Sequence, residues 1–258
     1  MKQAQIEVTY SDHMGSDLTV VNAARQSFGA QKDVFTLDDA GLINYLASGK
    51  RTKEWEIFLD EIQAITDRDA LKQRLIEYKR EAQHWAPFGH PHLTLRLRMP
   101  VFLARQFVKH TVGGVWSEES RRYMDSEVEF YFEPLIQSRP KDIKQGAGGE
   151  MSAFDQRQCE ELARFVSRNA NETYKELLVM GQAPEQAREI LTLNMMTGVT
   201  WTGSLLFWSR VCNQRLDAHA QSAANVLAKQ VNNIIEPLFP CSWGALVGTP
   251  WSAPTTPK

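Results

Sequence analysis

A short segment of strict alternation constrains the fold more than any other feature of the sequence. In residues 93–99 (LTLRLRM), Leu and Met side chains fall on one face of an extended chain, and Thr94, Arg96 and Arg98 fall on the other. Pro100 follows, and proline suits the start of a helix because the N–H that it lacks is unpaired there anyway. The segment predicts a strand with one apolar and one cationic face, which leads directly into a helix over 101–110.

Helices are predicted for most of the remaining chain. One helix is predicted to begin near residue 36, with Thr36 or Asp38 as its N-cap, and to end at Gly49. Periodicity predicts strands over 5–10 and 128–134, a loop over 144–150, and helices over 17–28, 36–49, 151–180, 184–197 and 204–236. Residues 50–83 are rich in charge and predict a helical pair that forms an insertion. No repeat or linker interrupts residues 1–258, so we expect a single α+β domain with a small sheet flanked by long helices.

The composition is that of a globular protein with no excess of either charge. Lys and Arg number 29 against 31 Asp and Glu, and 43% of the residues are hydrophobic. We therefore expect no binding to nucleic acid and no association with a membrane. Three cysteines that are far apart suit a reducing compartment better than a disulfide framework, and the first residues lack the apolar core of a signal peptide. A cytoplasmic location is expected.

One segment departs from this balance of charge. Residues 96–123 carry six cationic side chains against the acidic Glu118 and Glu119. Two glycines allow close approach of a ligand, and seryl hydroxyls and arginines are typical phosphate-binding groups. The segment predicts a phosphate site, and the alternative is a solvated loop whose arginines pair with nearby acids. The cations are Arg96, Arg98, Arg105, Lys109, Arg121 and Arg122.

Histidines and cysteines give no comparable pattern. The spacing of the histidines and of Asp217 matches no known metal motif, so no metal site is expected. Cys241 lies among Leu238, Phe239 and Trp243, which favours a packing role over that of an activated nucleophile.

Several motifs in this sequence resemble those of the flavin-dependent thymidylate synthases. ARQFVKHTVGGVWSEESRRY is similar to that family's Arg-His-Arg motif and the Asn-Glu-x-Ser-x-Arg-Tyr run behind it, with Lys109, His110 and Thr111 at the triplet positions. MGSDLTVVNAARQSF, HWAPFGH and RLDAHAQ resemble three further family segments and occur in the same order. Both arginines of the triplet are replaced here, and the spacer is one residue longer.

The resemblance implies an activity and an assembly. Members of that family are homotetramers with active sites shared between subunits around FAD. They use NADPH as the reductant and methylenetetrahydrofolate as the one-carbon donor to convert dUMP to dTMP. By resemblance, Arg215 is the catalytic residue, which lies against the uracil ring, and Ser120 and Arg122 suit the phosphate. The dUMP-contacting positions are Gln106, Lys109, Glu118, Glu119, Ser120, Arg121, Arg122, Arg188 and Arg215.

The same resemblance assigns a flavin site. The FAD-contacting positions are His84, Ala86, Lys109, His110, Thr111, Glu118, Ser204, Leu206, Arg210 and His219. Because Thr111 supplies only a hydroxyl where the family has an arginine, flavin retention is expected to be weaker unless Arg210 compensates. Arg215 and His219 are four residues apart on the predicted helix and would share one side of it. A redox-inactive nucleotide-binding protein of the same fold and a metal-dependent nucleotide hydrolase are the alternatives.

Overall fold

The computed structural model describes residues 1–80, 83–124, 126–140, 147–217 and 220–248. These residues form two compact units. The first unit contains the described residues of Met1–Asp12, Thr94–Thr202 and Val211–Asn232, and the second contains those of His13–Leu93, Gly203–Arg210 and the chain from Asn233 onward. The prediction of one domain over residues 1–258 stays a prediction.

The strands and helices make a mixed α and β architecture, as predicted. The strands are β1 Lys2–Gln3, β2 Glu7–Met14, β3 His92–Pro100, β4 Gly114–Glu118, β5 Glu129–Phe130 and β6 Met196–Ser204. A four-stranded sheet has the order β2-β3-β6-β4, and β1 pairs in parallel with β5. The helices are α1 Asp17–Arg25, α2 Leu37–Ser48, α3 Thr52–Ala64, α4 Arg68–Arg80, α5 Val101–Phe107, α6 Ala153–Val179, α7 Pro184–Ala187, α8 Leu205–Arg215, α9 Ser222–Ile235 and α10 Pro240–Leu246. No helix in these described ranges is long and apolar enough to span a membrane.

Strand β3 confirms the prediction from alternation. Its Leu and Met side chains are buried, whereas Arg96 is exposed. Pro100 is the N-cap of α5, so the helix begins directly after the strand. Helix α5 ends at Phe107, three residues earlier than predicted. The strand and the helix thus carry the cationic segment on a buried apolar base.

The first unit has a core of its own beside helix α6. Val128, Phe130, Phe132, Tyr174 and Ala187 form a buried cluster. Only residues 129–130 of the predicted strand 128–134 are assigned to β5. The neighbouring residues still bury apolar side chains, so this segment contributes packing rather than a long strand.

The second unit is built on α1, α2 and α10. Thr36 is the N-cap of α2, with its N–H and O–H both donating to Asp39 Oδ2 at 2.8 Å, and the helix ends at Gly49 with φ of +74°. Glycine suits this position because that backbone conformation costs it little. Asp17 is buried, and its carboxylate accepts hydrogen bonds of 2.9 Å from the N–H groups of Cys241 and Ser242 at the start of α10.

Two of the predicted long helices are wrong. The segment 184–197 forms only α7 and a short 3-10 helix, Arg188–Ile190, before β6 begins at Met196. Strand β6 lies between β3 and β4, so hydrogen bonding on both sides outweighs the local helical pattern. The segment 204–236 divides into α8 and α9, and Asn225 Nδ2 donates to Arg215 O at 3.1 Å, which satisfies a carbonyl at the end of α8.

Candidate active site

Four of the predicted dUMP-contacting residues line one cavity in the first unit. The cavity has a volume of about 180 Å³, and its wall includes Glu118, Glu119, Arg121 and Arg188. Glu118 ends strand β4, and Glu119 and Arg121 follow it in the cationic segment. Arg188 begins the 3-10 helix Arg188–Ile190. The tertiary structure thus brings together side chains that lie about 70 residues apart in the chain.

Strand β6 fixes both carboxylates. Thr197 Oγ1 donates to Glu118 Oε1 at 3.0 Å, and the Gly198 N–H donates to Glu119 Oε2 at 3.0 Å. The Glu119 N–H in turn donates to Gly198 O at 2.9 Å. A Cβ atom at Gly198 would lie 2.3 Å from Glu119 Oε1, so the approach of this carboxylate requires glycine. The two acids are held as oriented acceptors rather than as a solvated charge run.

The arginines around this cavity have different partners. Arg98 forms an ion pair with Glu129 and lies 3.9 Å from Glu119 Oε2. Arg121 donates through its guanidinium to the carbonyls of Ser126 and Glu127, which are backbone groups rather than acids. Arg121 therefore keeps its net positive charge at the cavity wall, as a phosphate site requires.

Ser120 and Arg122, the predicted phosphate-binding pair, contact each other. Arg122 Nε donates to Ser120 Oγ at 3.2 Å, and its guanidinium carbon is 5.1 Å from the centroid of the Tyr123 ring. Arg122 is exposed. A guanidinium held this way offers its remaining N–H groups to an anion.

Arg215 and His110 meet in a half-buried position of the first unit. Arg215 Nη2 lies 3.4 Å from His110 Nε2, and its guanidinium carbon is 5.6 Å from the centroid of the Phe107 ring. Burial and then the charge of Arg215 lower the pKa of His110, which favours a neutral imidazole. The Nε of Arg215 is buried and has no hydrogen-bond partner within the described chain, and the same holds for Gln106 Oε1. Two predicted substrate contacts are thus left with unused hydrogen-bonding capacity.

The predicted flavin contacts are divided between the two units. Lys109 and Thr111 are exposed in the first unit. In the second unit, Ser204 is buried and its Oγ accepts from the Phe207 N–H at 3.2 Å, whereas Arg210 is exposed. Leu206, in the same helix, accepts from Ser209 Oγ at 2.8 Å through its carbonyl.

Other members of the flavin set have different outcomes. His84 and Ala86 line a second cavity of about 870 Å³ within the second unit. His219 lies outside the described residues, and the helix predicted to carry it beyond Arg215 ends at that arginine.

Neither buried cysteine has the properties of a nucleophile. Burial raises the pKa of Cys212 to about 12, and burial with the nearby Asp17 raises the pKa of Cys241 to about 11. Both thiols therefore stay protonated at neutral pH. Within the described ranges, no group of three or more His, Cys, Asp or Glu residues is arranged to hold a metal ion.

The sequence pattern did not identify the residues that hold the site in place. Thr197 ends the helix predicted over 184–197, whereas Gly198 and Trp201 lie in no predicted element. Trp201 is buried and lies 4.9 Å from Trp116 and 6.1 Å from Phe107 between ring centroids. The available signal was the Thr, Val and Trp residues over 197–202, which are enriched in strands.

Comparisons with known proteins give matches over most of the chain. The family model described as "Thymidylate synthase complementing protein" matches residues 9–241. A flavin-dependent thymidylate synthase from Ehrlichia ruminantium is 30% identical over 238 residues, which cover 92% of this chain and 68% of that protein. The corresponding protein from Thermosipho africanus is 28% identical over 236 residues, covering 92% and 88%.

A solved structure gives the same result for the fold. The UMP/dUMP methylase PolB from Streptomyces cacaoi, bound with 5-Br dUMP, superimposes with a TM-score of 0.73 at 25% identity, covering 95% of this chain and 96% of that one. The motifs, the fold and these matches together span most of the chain. The chain belongs to the flavin-dependent thymidylate synthase family of enzymes.

Proposed function

We propose that the enzyme methylates C5 of dUMP to give dTMP, with methylenetetrahydrofolate as the one-carbon donor, NADPH as the reductant and FAD as the cofactor. The C5–H bond is replaced by C5–CH3, the folate leaves as tetrahydrofolate, NADPH leaves as NADP+, and one proton is taken up overall. The observation that carries the proposal is the single cavity lined by Glu118, Glu119, Arg121 and Arg188. The structure of PolB with 5-Br dUMP also supports a uridine nucleotide as the substrate class.

The nucleotide phosphate is bound by the cationic segment in this proposal. Ser120 and Arg122 form a preorganised pair, and Arg121 supplies a second charge at the cavity wall. Arginine grips phosphate oxygens with two parallel N–H groups, which fixes orientation as well as charge.

Arg215 acts on the pyrimidine ring. Its unpartnered Nε and its charge suit a carbonyl edge of uracil, where negative charge develops when C5 becomes nucleophilic. A guanidinium is always protonated, so it stabilises that charge and cannot accept the proton. The unpartnered Gln106 Oε1 supplies an acceptor of the kind that uracil N3–H needs. Burial and the charge of Arg215 lower the pKa of His110, which favours a neutral imidazole that adds no competing charge.

The residues present fit a flavin nucleotide. When bound, FAD supplies a ring that takes electrons from NADPH and passes them to the transferred carbon. In the first unit, Lys109 is an exposed cation that suits a diphosphate and Thr111 offers a hydroxyl; in the second unit, Arg210 is also exposed and cationic. His84 and Ala86 lie on the wall of a cavity large enough for an aromatic ring. The replacement of two triplet arginines leaves fewer forked contacts for the diphosphate.

We further propose that the enzyme is a homotetramer whose subunits share their active sites. Helix α6 supports this because its Leu162, Phe165 and Val166 are 66%, 59% and 54% exposed. An apolar stripe of this kind marks a protein interface. In an antiparallel pair of α6 helices, charges of opposite sign meet on one flank, with Arg157 opposite Glu172 and Glu161 opposite Arg168.

One assay tests the proposed reaction. Purified enzyme is incubated with NADPH, methylenetetrahydrofolate and either dUMP or UMP, and the methylated nucleotide is measured by mass. We expect dTMP from dUMP, and a yellow enzyme with flavin absorbance. Arg215→Ala should retain its flavin and lose about 100-fold in turnover, as for other charge-stabilising donors. Binding of dUMP with no methylated product in the wild type would instead support the redox-inactive alternative, which family membership does not favour.

A further inference from the structure

Strand β4 places a tryptophan beside one of the carboxylates of the predicted dUMP site. Trp116 and Glu118 are two residues apart in this strand, and side chains at that spacing point to the same face of a sheet. The indole N–H of Trp116 donates to Glu118 Oε2 at 3.2 Å. Neither the family motifs nor the proposed function gives Trp116 a role. Its hydrogen bond nevertheless acts directly on a predicted dUMP-contacting residue.

The Glu118 carboxylate has a different donor on each of its oxygens. Thr197 Oγ1, from strand β6, donates to Oε1 at 3.0 Å, whereas the Trp116 N–H donates to Oε2. Because one donor contacts each oxygen, the plane of the carboxylate is fixed as well as its position. Glu118 is exposed, so without these donors its side chain would sample many rotamers. The two hydrogen bonds therefore order a long side chain before any ligand binds.

Trp116 is itself held by a buried ring. Its centroid lies 4.9 Å from that of Trp201 in an edge-to-face arrangement, with 76° between the ring planes. Trp201 is 1% exposed and lies edge-to-face with Phe107 at 6.1 Å. Aromatic pairs favour this geometry, so the half-buried indole of Trp116 can keep one orientation. Because Trp201 and Thr197 both belong to β6, that strand supports the indole and also the carboxylate that the indole contacts.

We propose that Trp116 is a positioning residue for dUMP, which acts by holding the Glu118 carboxylate in its binding orientation. This inference rests on the proposed function, because it takes dUMP as the ligand that Glu118 contacts. Ordering one long side chain on binding lowers affinity by about two- to tenfold. A carboxylate that is already ordered avoids this loss, so the indole N–H strengthens binding without touching the nucleotide. A ring that stacked directly on the pyrimidine would act independently of Glu118.

A double-mutant cycle distinguishes these two roles. Trp116→Phe removes the N–H but keeps an aromatic ring, and it is made both in the wild type and in Glu118→Ala. Trp55→Phe is the matched control, because the Trp55 indole N–H also donates at 3.2 Å, to Ser48 Oγ, and its ring also has edge-to-face neighbours. Trp55 lies in α3 of the second unit, outside the site. Dissociation constants for dUMP are measured by calorimetry, and thermal unfolding checks that each variant is folded.

We expect Trp116→Phe to raise the dissociation constant of dUMP by about fivefold in the wild-type background and by less than about twofold in Glu118→Ala. Trp55→Phe should leave the constant within about twofold of the wild type. Benzothienylalanine at position 116, which has the shape of tryptophan but sulfur in place of the N–H, should weaken binding as Trp116→Phe does. Wild-type affinity in Trp116→Phe or with benzothienylalanine would overturn the inference, and so would an equal loss in both backgrounds.

A measurement without nucleotide tests the contact itself. The indole N–H signals of isotope-labelled enzyme are recorded by two-dimensional NMR, and the Trp116 signal is the one that Trp116→Phe removes. In Glu118→Gln this signal should move, because an uncharged amide is a weaker acceptor than a carboxylate, whereas the Trp55 signal should stay. An unmoved Trp116 signal would overturn the positioning role even if Glu118→Ala bound dUMP too weakly for the cycle.

The outcome can be separated from that of the test of the reaction. If the wild type forms dTMP while Trp116→Phe binds dUMP as the wild type does, the proposed function stands and this inference fails. If the wild type binds dUMP with the expected coupling between Trp116 and Glu118 but forms no dTMP, the inference stands and the reaction must be revised.

Discussion

Replacement of Gly198 by alanine tests how strand β6 positions Glu119. The new Cβ would lie 2.3 Å from Glu119 Oε1, so the carboxylate must move and lose the N–H donated by Gly198. A hydrogen bond to a charged group contributes about 1.5–3 kcal/mol, and we take about 1.5 because the Glu119 side chain is 44% exposed. Alanine returns about 0.5 kcal/mol by reducing the freedom of the unfolded chain. The expected net loss of stability is about 1 kcal/mol.

A double-mutant cycle separates this effect from a general defect. In the Glu119→Ala background the clash and the hydrogen bond are both absent, so Gly198→Ala should stabilise by about 0.5 kcal/mol, which gives a coupling of about 1.5 kcal/mol. Unfolding is followed in urea, and dUMP affinity is measured on the same preparations. Gly203→Ala serves as the contrast, because its Cβ would lie 2.1 Å from the buried Phe207 ring and should cost more stability. A coupling near zero would refute the role of Gly198.

Three further predictions concern His110, the predicted flavin contacts Lys109 and Thr111, and the exposed apolar residues of α6. Since burial and Arg215 lower the pKa of His110, the unfolded chain binds a proton that the folded chain does not, and stability should fall as pH drops below about 6.5. In Arg215→Ala the pKa of His110 should rise towards its usual value, as NMR titration would reveal, and an unchanged pKa would mean that the two side chains do not interact. Arginine at both Lys109 and Thr111 should raise flavin occupancy at moderate salt, by about 1 kcal/mol for each improved contact, and equal occupancy would mean that other residues already hold the diphosphate. Leu162→Asp should reduce the oligomeric state in light scattering, whereas Arg157→Ala should reduce it less; an unaltered mass for Leu162→Asp would exclude this face as the interface.

Sequence reasoning succeeded where local chemistry decides the structure. Strand β3 shows one buried face because its alternation matches the pleat, and α2 begins at Thr36 and ends at Gly49 because capping depends on neighbouring residues. The family motifs predicted nine dUMP-contacting positions, and four of them, Glu118, Glu119, Arg121 and Arg188, line one cavity, whereas the other five do not line it. Their roles in binding dUMP stay predictions.

It failed where distant partners decide the structure. Strand β6 is buried along most of its length on both faces, so its burial does not alternate as that of β3 does, and Gly198 and Gly203 weaken the strand signal of its other residues. Residues 204–236 contain no Gly or Pro, so nothing local marks the end of α8 at Arg215. The contact between Glu118 and Thr197 spans 79 positions, and only the assembled sheet creates it.

The hydrogen bonds between Asp17 and helix α10 also affect how the chain can be synthesised. The buried carboxylate accepts N–H groups from Cys241 and Ser242, more than 220 positions later in the chain. A ribosome delivers the aspartate more than 220 residues before these partners, so until they are available its carboxylate lacks two hydrogen-bond donors. Because burial of a carboxylate without donors is costly, we expect the packing of α1 in the second unit to depend on α10. A chain shortened before Cys241 is therefore expected to be less stable and more readily degraded.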